Sequence, residues 1–80
     1  DMGRLSGIGI GDRVRLYGAR FATGAVDGVL LDEKDGIYRM RLDDASAPLA
    51  LLYDTVGSVH AVVWGVIHPL TSVERLEVAA

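Results

Sequence analysis

The residues here whose chemistry could build a site are two histidines, His60 and His68, and two alternating arginine pairs, Arg13 with Arg15 and Arg39 with Arg41. Imidazoles bind metals or move protons near neutral pH. On one straight strand, however, residues eight apart lie roughly 26 Å from each other. One chain then cannot close both histidines on an ion, although symmetry-related copies could; ordinary hydrogen-bonded histidines are the expected role. Each arginine pair projects from one strand face, and Arg13, Arg15, Arg39 and Arg41 together would make a patch for an anionic partner. Asp27 falls on the strand expected between the pairs. Opposite charges facing each other across strands are a common stabilising device, so a solvated, partly paired face is expected.

Gly7, Gly9 and Gly11 spell a G-x-G-x-G run. A phosphate loop needs a helix N-terminus after its glycines, where free amides face the anion. The segment after Gly11 is strand-like instead, so the glycines are expected to serve corners and bulges. No nucleophile setting surrounds Ser6, Ser46, Ser58 or Ser72, and the carboxylates of Asp32, Glu33, Asp35, Asp43 and Asp44 sit in turn-like segments. Cysteine is absent, which removes thiol catalysis, thiolate metal sites and disulfides. No catalytic, cofactor-binding or metal-binding residue is expected, and no cofactor.

The elements that must carry these residues are short. Eighty residues make one domain near the lower limit for a self-sufficient core, and half of them are hydrophobic. Alternation and short apolar runs punctuated by glycine give the all-β signature. Strands are expected over 13–17, 25–31, 37–42 and 49–53, with an Asp35-Gly36 hairpin turn that needs positive φ at Gly36. Residues 43–48 read as a polar break, with Pro48 suited to a strand start. A turn over 54–58 precedes the longest apolar run, 59–67. Pro69 to Ser72 reads as a short 3₁₀ turn before a last strand over 73–78.

On a straight strand, His60, Val62, Trp64, Val66 and His68 would share one face, with Val59, Ala61, Val63 and Ile67 on the other. A barrel strand needs only one buried face. Either another subunit covers the second face, with Trp64 as anchor, or a bend near Gly65 turns both halves toward one core. The first alternative makes these five residues a candidate interface and the chain a homo-oligomer.

The pattern resembles the SH3-like barrels. Gly11-Asp12-Arg13-Val14-Arg15 looks like their first strand, Asp35-Gly36 like their central meander, and Pro69 to Leu76 like their 3₁₀ turn and closing strand. A narrower resemblance is to the plasmid-borne type B dihydrofolate reductases, SH3-like barrels that assemble four chains around a pore. That family has Val-Gln-Ile-Tyr before its proline; here Gly65-Val66-Ile67-His68 precedes Pro69, and only Ile67 matches. Leu16 stands where the family has its pore lysine. The resemblance thus implies fold and assembly, without the residues that bind folate and nicotinamide.

The sequence therefore predicts an all-β, SH3-like small barrel of five to six short strands with a 3₁₀ turn before the last. Residues 1–10 are expected to form a flexible N-terminal arm and 11–80 the barrel domain. The expected function is a non-enzymatic, self-associating binding or interaction module. The alternatives are an oxidoreductase with a pore shared in a symmetric oligomer, or a nucleic-acid-binding small barrel. A net charge of −3 speaks against nucleic acid. The apolar run is too short to span a bilayer as a helix. The glycine-rich start lacks a targeting pattern, so a cytoplasmic location is expected.

Overall fold

The computed structural model describes residues 5, 7–44, 49–55 and 58–77. They form seven strands, β1 (Arg13–Tyr17), β2 (Ala25–Lys34), β3 (Ile37–Leu42), β4 (Leu49–Thr55), β5 (Ser58–Val63), β6 (Val66–Leu70) and β7 (Ser72–Glu77). All pairings are antiparallel, in one curled sheet ordered β6-β5-β4-β3-β2-β1-β7. The chain is all-β. Strands β1 to β6 run as a meander, and β7 returns to pair with β1. Only Thr71 separates β6 from β7, and its amide donates to the Tyr17 carbonyl at 2.8 Å. Both ends of the sheet thereby meet one corner beside the end of β1.

Alternation decides what faces in. Val14 and Leu16 of β1 are fully buried while Arg13, Arg15 and Tyr17 point outward. Leu30, Met40, Leu42, Ala50, Leu52, Val59, Ala61, Val63 and Leu70 complete the core from the other strands. Leu5 is buried in that core and Ile8 packs against it, so residues of the N-terminal segment contribute to the interior. Gly28 sits where a side chain has no room, because a Cβ would collide with the Arg41 carbonyl oxygen and approach the Met40 methyl at 2.8 Å.

The β2–β3 turn matches the expectation. Asp35 (φ 55°) and Gly36 (φ 84°) are both left-handed, as in the mirror-image turn that matches strand twist. Glu33 steadies it, its carboxylate accepting from the Gly36 amide at 2.7 Å. β2 runs to Lys34, three residues beyond the expected end, because a register shift between Leu30 and Asp32 lets the strand continue with altered facing.

The apolar run departs from a straight strand. Trp64 (φ 54°) and Gly65 (φ 73°) form a second two-residue turn, so residues 58–70 make the β5–β6 hairpin. The 3₁₀ turn expected over Pro69 to Ser72 is likewise replaced: Pro69 and Leu70 continue β6, and Ser72 opens β7. Proline is tolerated because β6 ends the sheet, where a residue without an amide proton can face away from the ladder. The fold-back at Trp64-Gly65 splits one expected strand into two and raises the count from the expected five or six to seven, while the lost 3₁₀ turn only lengthens β6 and β7. The expected break at 45–48, the turn centre at 56–57 and the strand end at Val78 lie outside the described residues.

Candidate functional site

The outer face of the sheet divides into a charged half and an apolar half. On the charged half, Arg15 of β1 stands opposite Asp27 of β2 and donates from Nε and Nη2 to its two oxygens at 2.7 and 2.9 Å. Arg13 bonds Asp43, at 2.7 Å for the shorter contact, and lies 3.2 Å from Glu77. Arg39 faces Asp32 across the β2–β3 ladder and holds it with both Nε and Nη2. Tyr17 donates to Glu74 at 2.7 Å. Hydrogen bonding to Arg15 keeps the Asp27 carboxyl below its usual range, outweighing the burial that pushes it up. Arg39 does the same for Asp32. The guanidiniums of Arg13, Arg15 and Arg39 are correspondingly held more firmly protonated.

Of the four arginines read as an anion patch, three thus already hold carboxylates. Arg41, exposed and flanked across the ladders by Val29 and Leu49, is the fourth. The glycine run is similarly engaged: Asp12, only 4% exposed, accepts from the Gly9 amide at 2.8 Å, and the Gly11 amide donates to the Leu30 carbonyl. A buried carboxylate there would repel a phosphate, and it occupies an amide that a phosphate would use. No group of three or more His, Asp or Glu among the described residues could hold a metal.

The apolar half spans β3 to β6. The ladder aligns Ile37, Tyr53, His60 and Pro69 in one row, and Leu51, Val62 and Ile67 in the next after Arg39. Leu49 extends it beside Arg41. Ile37, Leu49, Leu51 and Ile67 are 42–51% exposed, which is high for four large aliphatics sharing one face. Within the face, the Tyr53 and His60 rings stack at 5.3 Å.

The hairpin redistributes the five residues read as a single stripe. His60 and Val62 lie on the outer apolar half, Trp64 caps the turn, and Val66 and His68 face the other way because they oppose the buried Val63 and Ala61. The two histidines are consequently on adjacent strands, about one strand spacing (~5 Å) plus one residue apart, and on opposite faces. The straight-strand separation of roughly 26 Å does not apply, yet they still cannot share an ion.

Val66 and His68 instead border a groove of about 470 Å³ at one end of the sheet. Its wall includes Phe21, Val26, Leu42, Val63 and Trp64, with Arg20, Thr23 and Asp44 also lining it. Phe21 stacks on His68 with centroids 4.5 Å apart and planes 10° from parallel. Arg20 reaches over to donate to the Ile67 carbonyl at 3.3 Å. The Nδ1 atoms of both His60 and His68 are buried without a hydrogen-bond partner among the described residues.

The sequence pattern alone did not mark Ile37, Leu49, Leu51 and Ile67 as members of the face. A signal was present: Leu49, Leu51 and Tyr53 alternate with Ala50 and Leu52, so β4 is apolar on both sides just as the 59–67 run is. Comparison of the chain with known protein families, curated proteins and solved structures finds no match.

Proposed function

We propose that this chain is a small, non-enzymatic interaction module of SH3-like barrel type that associates with copies of itself through the outer face of β3 to β6. One observation carries the reading: the apolar half formed by the exposed Ile37, Leu49, Leu51 and Ile67 with the half-buried Val62 between them, bounded by arginines that mostly hold carboxylates. Apolar surface of this kind is a liability on a monomer and an ordinary driving force at an interface. Each of these large aliphatics is already about half buried, so covering the remainder contributes roughly half of the 1.5–3 kcal/mol of a full burial. The barrel reading is supported by the return of β7 to β1 and by the single-residue corner at Thr71.

A second copy is the occupant this face suits. A two-fold axis through it would place apolar rows on apolar rows and leave the Arg15–Asp27 and Arg39–Asp32 pairs at the solvated rim, which is the arrangement of a stable interface. Such a contact takes about 800 Å² from each partner, about a sixth of the 4925 Å² that the chain exposes. The test is sedimentation velocity over rising concentration for the wild type and Leu51→Glu. Association is expected for the wild type and its loss for the variant. A wild type that stays monomeric to hundreds of micromolar would overturn the reading.

A further inference from the structure

We infer that the outer face of β3 to β6 carries its own pH switch: two copies join there while His60 is neutral, and proton uptake by His60 parts them. The inference rests on the self-association proposed above and names the residue that regulates it.

His60 is set into the face by its strand. It stands two residues along β5 from Val62 on the same side, in the row of Ile37, Tyr53, His60 and Pro69. The residue is half-buried, its ring stacks on Tyr53, and its Nδ1 is buried with no hydrogen-bond partner among the described residues. An imidazolium carries a proton on both nitrogens. The proton on Nδ1 would find no acceptor there, so water at the outer face is left to solvate the charge. A second copy laid over the apolar rows removes that water. Covering a neutral ring costs far less than covering a charged one.

The surroundings offer the charge nothing in exchange. Across β4 His60 faces Tyr53, with Leu51 and Thr55 beside it; across β6 it faces Pro69, with Ile67 beside it; Ser58 and Val62 flank it along β5. Tyr53 is the one titratable group in that set, and phenols are uncharged from acid to neutral pH. Stacking on its ring eases an imidazolium in free and joined copies alike, so it does not favour the joined form. Asp54 opposes the buried Val59 and therefore lies on the other face. Among the described residues of β4, β5 and β6, no carboxylate shares the face of His60. The charges that approach are cationic: Arg20 at the Ile67 carbonyl, Lys34 beyond Ile37 in the same row, and Arg39, which already holds Asp32. A two-fold contact brings one His60 from each copy, so acid charges it twice.

The joined form thus binds fewer protons than two free copies, and falling pH drives separation. Histidine changes charge between about pH 5 and 8. Asp27 and Asp32, held below the usual carboxylate range by Arg15 and Arg39, keep the charged half intact in that window.

The experiment is sedimentation velocity at pH 7.5 and 5.5 for wild type, His60→Gln, His60→Phe and His68→Gln, with circular dichroism confirming the fold at both pH values. The wild-type dissociation constant should rise at least tenfold on going to pH 5.5. In His60→Gln and His60→Phe the ratio between the two pH values should fall below twofold, whatever the affinity at pH 7.5. His68→Gln should keep the wild-type ratio, because His68 lies on the opposite face. A wild type that associates equally at both pH values, or a pH response that survives both His60 variants, would overturn the switch and leave self-association standing. A wild type monomeric to hundreds of micromolar at pH 7.5 would overturn both. Should neither His60 variant fold, His68→Gln decides: the chain has only two histidines, so a response lost with His68 would overturn the assignment and a response retained supports it.

Discussion

Arg39 and Leu51 face each other across the β3–β4 ladder, and the outer surface of the protein changes character between them. On one side Arg39 grips Asp32; on the other Leu51 leads through Val62 to Ile67. A sheet that places charge pairs on one half and bare aliphatics on the other has a solvated side and a side suited to contact. Leu51→Lys should therefore leave monomer stability within about 0.5 kcal/mol, since the site is exposed, while weakening association at least tenfold. Urea denaturation of dilute protein and sedimentation of concentrated protein measure the two effects separately.

The Asp35-Gly36 turn should be intolerant of a branched side chain. Both residues are at positive φ and nothing crowds the Gly36 position, so the cost of Gly36→Val is backbone strain alone. The expected loss is about 1 kcal/mol or more. Gly36→Asn should lose much less, because asparagine tolerates that conformation. Chemical denaturation of the two variants gives the comparison.

Gly28 should be sensitive for a different reason. Its backbone is unstrained, but a methyl group there meets the Arg41 carbonyl oxygen and the Met40 side chain. Gly28→Ala should cost about 2–3 kcal/mol through displacement of β3 from β2. A variant as stable as wild type in the same titration would mean that the two strands are not packed this closely.

Acid should remove part of the stability through Asp27. Its folded pKa is lowered by the hydrogen bonds from Arg15, so its contribution is present above the unfolded value near pH 4 and is lost as pH falls through the folded value. The pair is partly solvated, which limits the contribution to about 0.5–1 kcal/mol. Asp27→Asn should be less stable than wild type at pH 7 by that amount, and the gap should close toward pH 2. Stability measured at several pH values tests the sign.

Purified protein should not reduce dihydrofolate with NADPH. The position at which the resembled family carries its pore lysine is Leu16, which is fully buried in the core. Val66 and His68 stand where that family has glutamine and tyrosine. Sustained turnover above a buffer control, abolished by Ile67→Ala, would contradict the non-enzymatic reading.

Legibility depended on how simply each segment alternates. The bounds of β1 and β3 were readable because apolar and charged residues alternate in Arg13–Tyr17 and Ile37–Leu42 without interruption. The Arg15–Asp27 pair was readable for the same reason. The Arg39–Asp32 pair was not, since it depends on the register shift after Leu30. The β5–β6 hairpin was hidden because tryptophan is not a turn residue by propensity. Only Gly65, and a run longer than the usual five or six residues of a strand, hinted at the fold-back. The apolar half was hidden further, because it is assembled from β3 to β6 and no single strand displays it.

The most direct test of the apolar half as a contact surface is an intermolecular NOE measurement on a mixture of isotope-labelled and unlabelled protein. Cross-copy NOEs are expected at the methyl groups of Ile37, Leu49, Leu51 and Ile67, and none at Val29, which lies among the arginines on the charged half. Cross-copy NOEs confined to the charged half, or none at concentrations of hundreds of micromolar, would contradict self-association through this face.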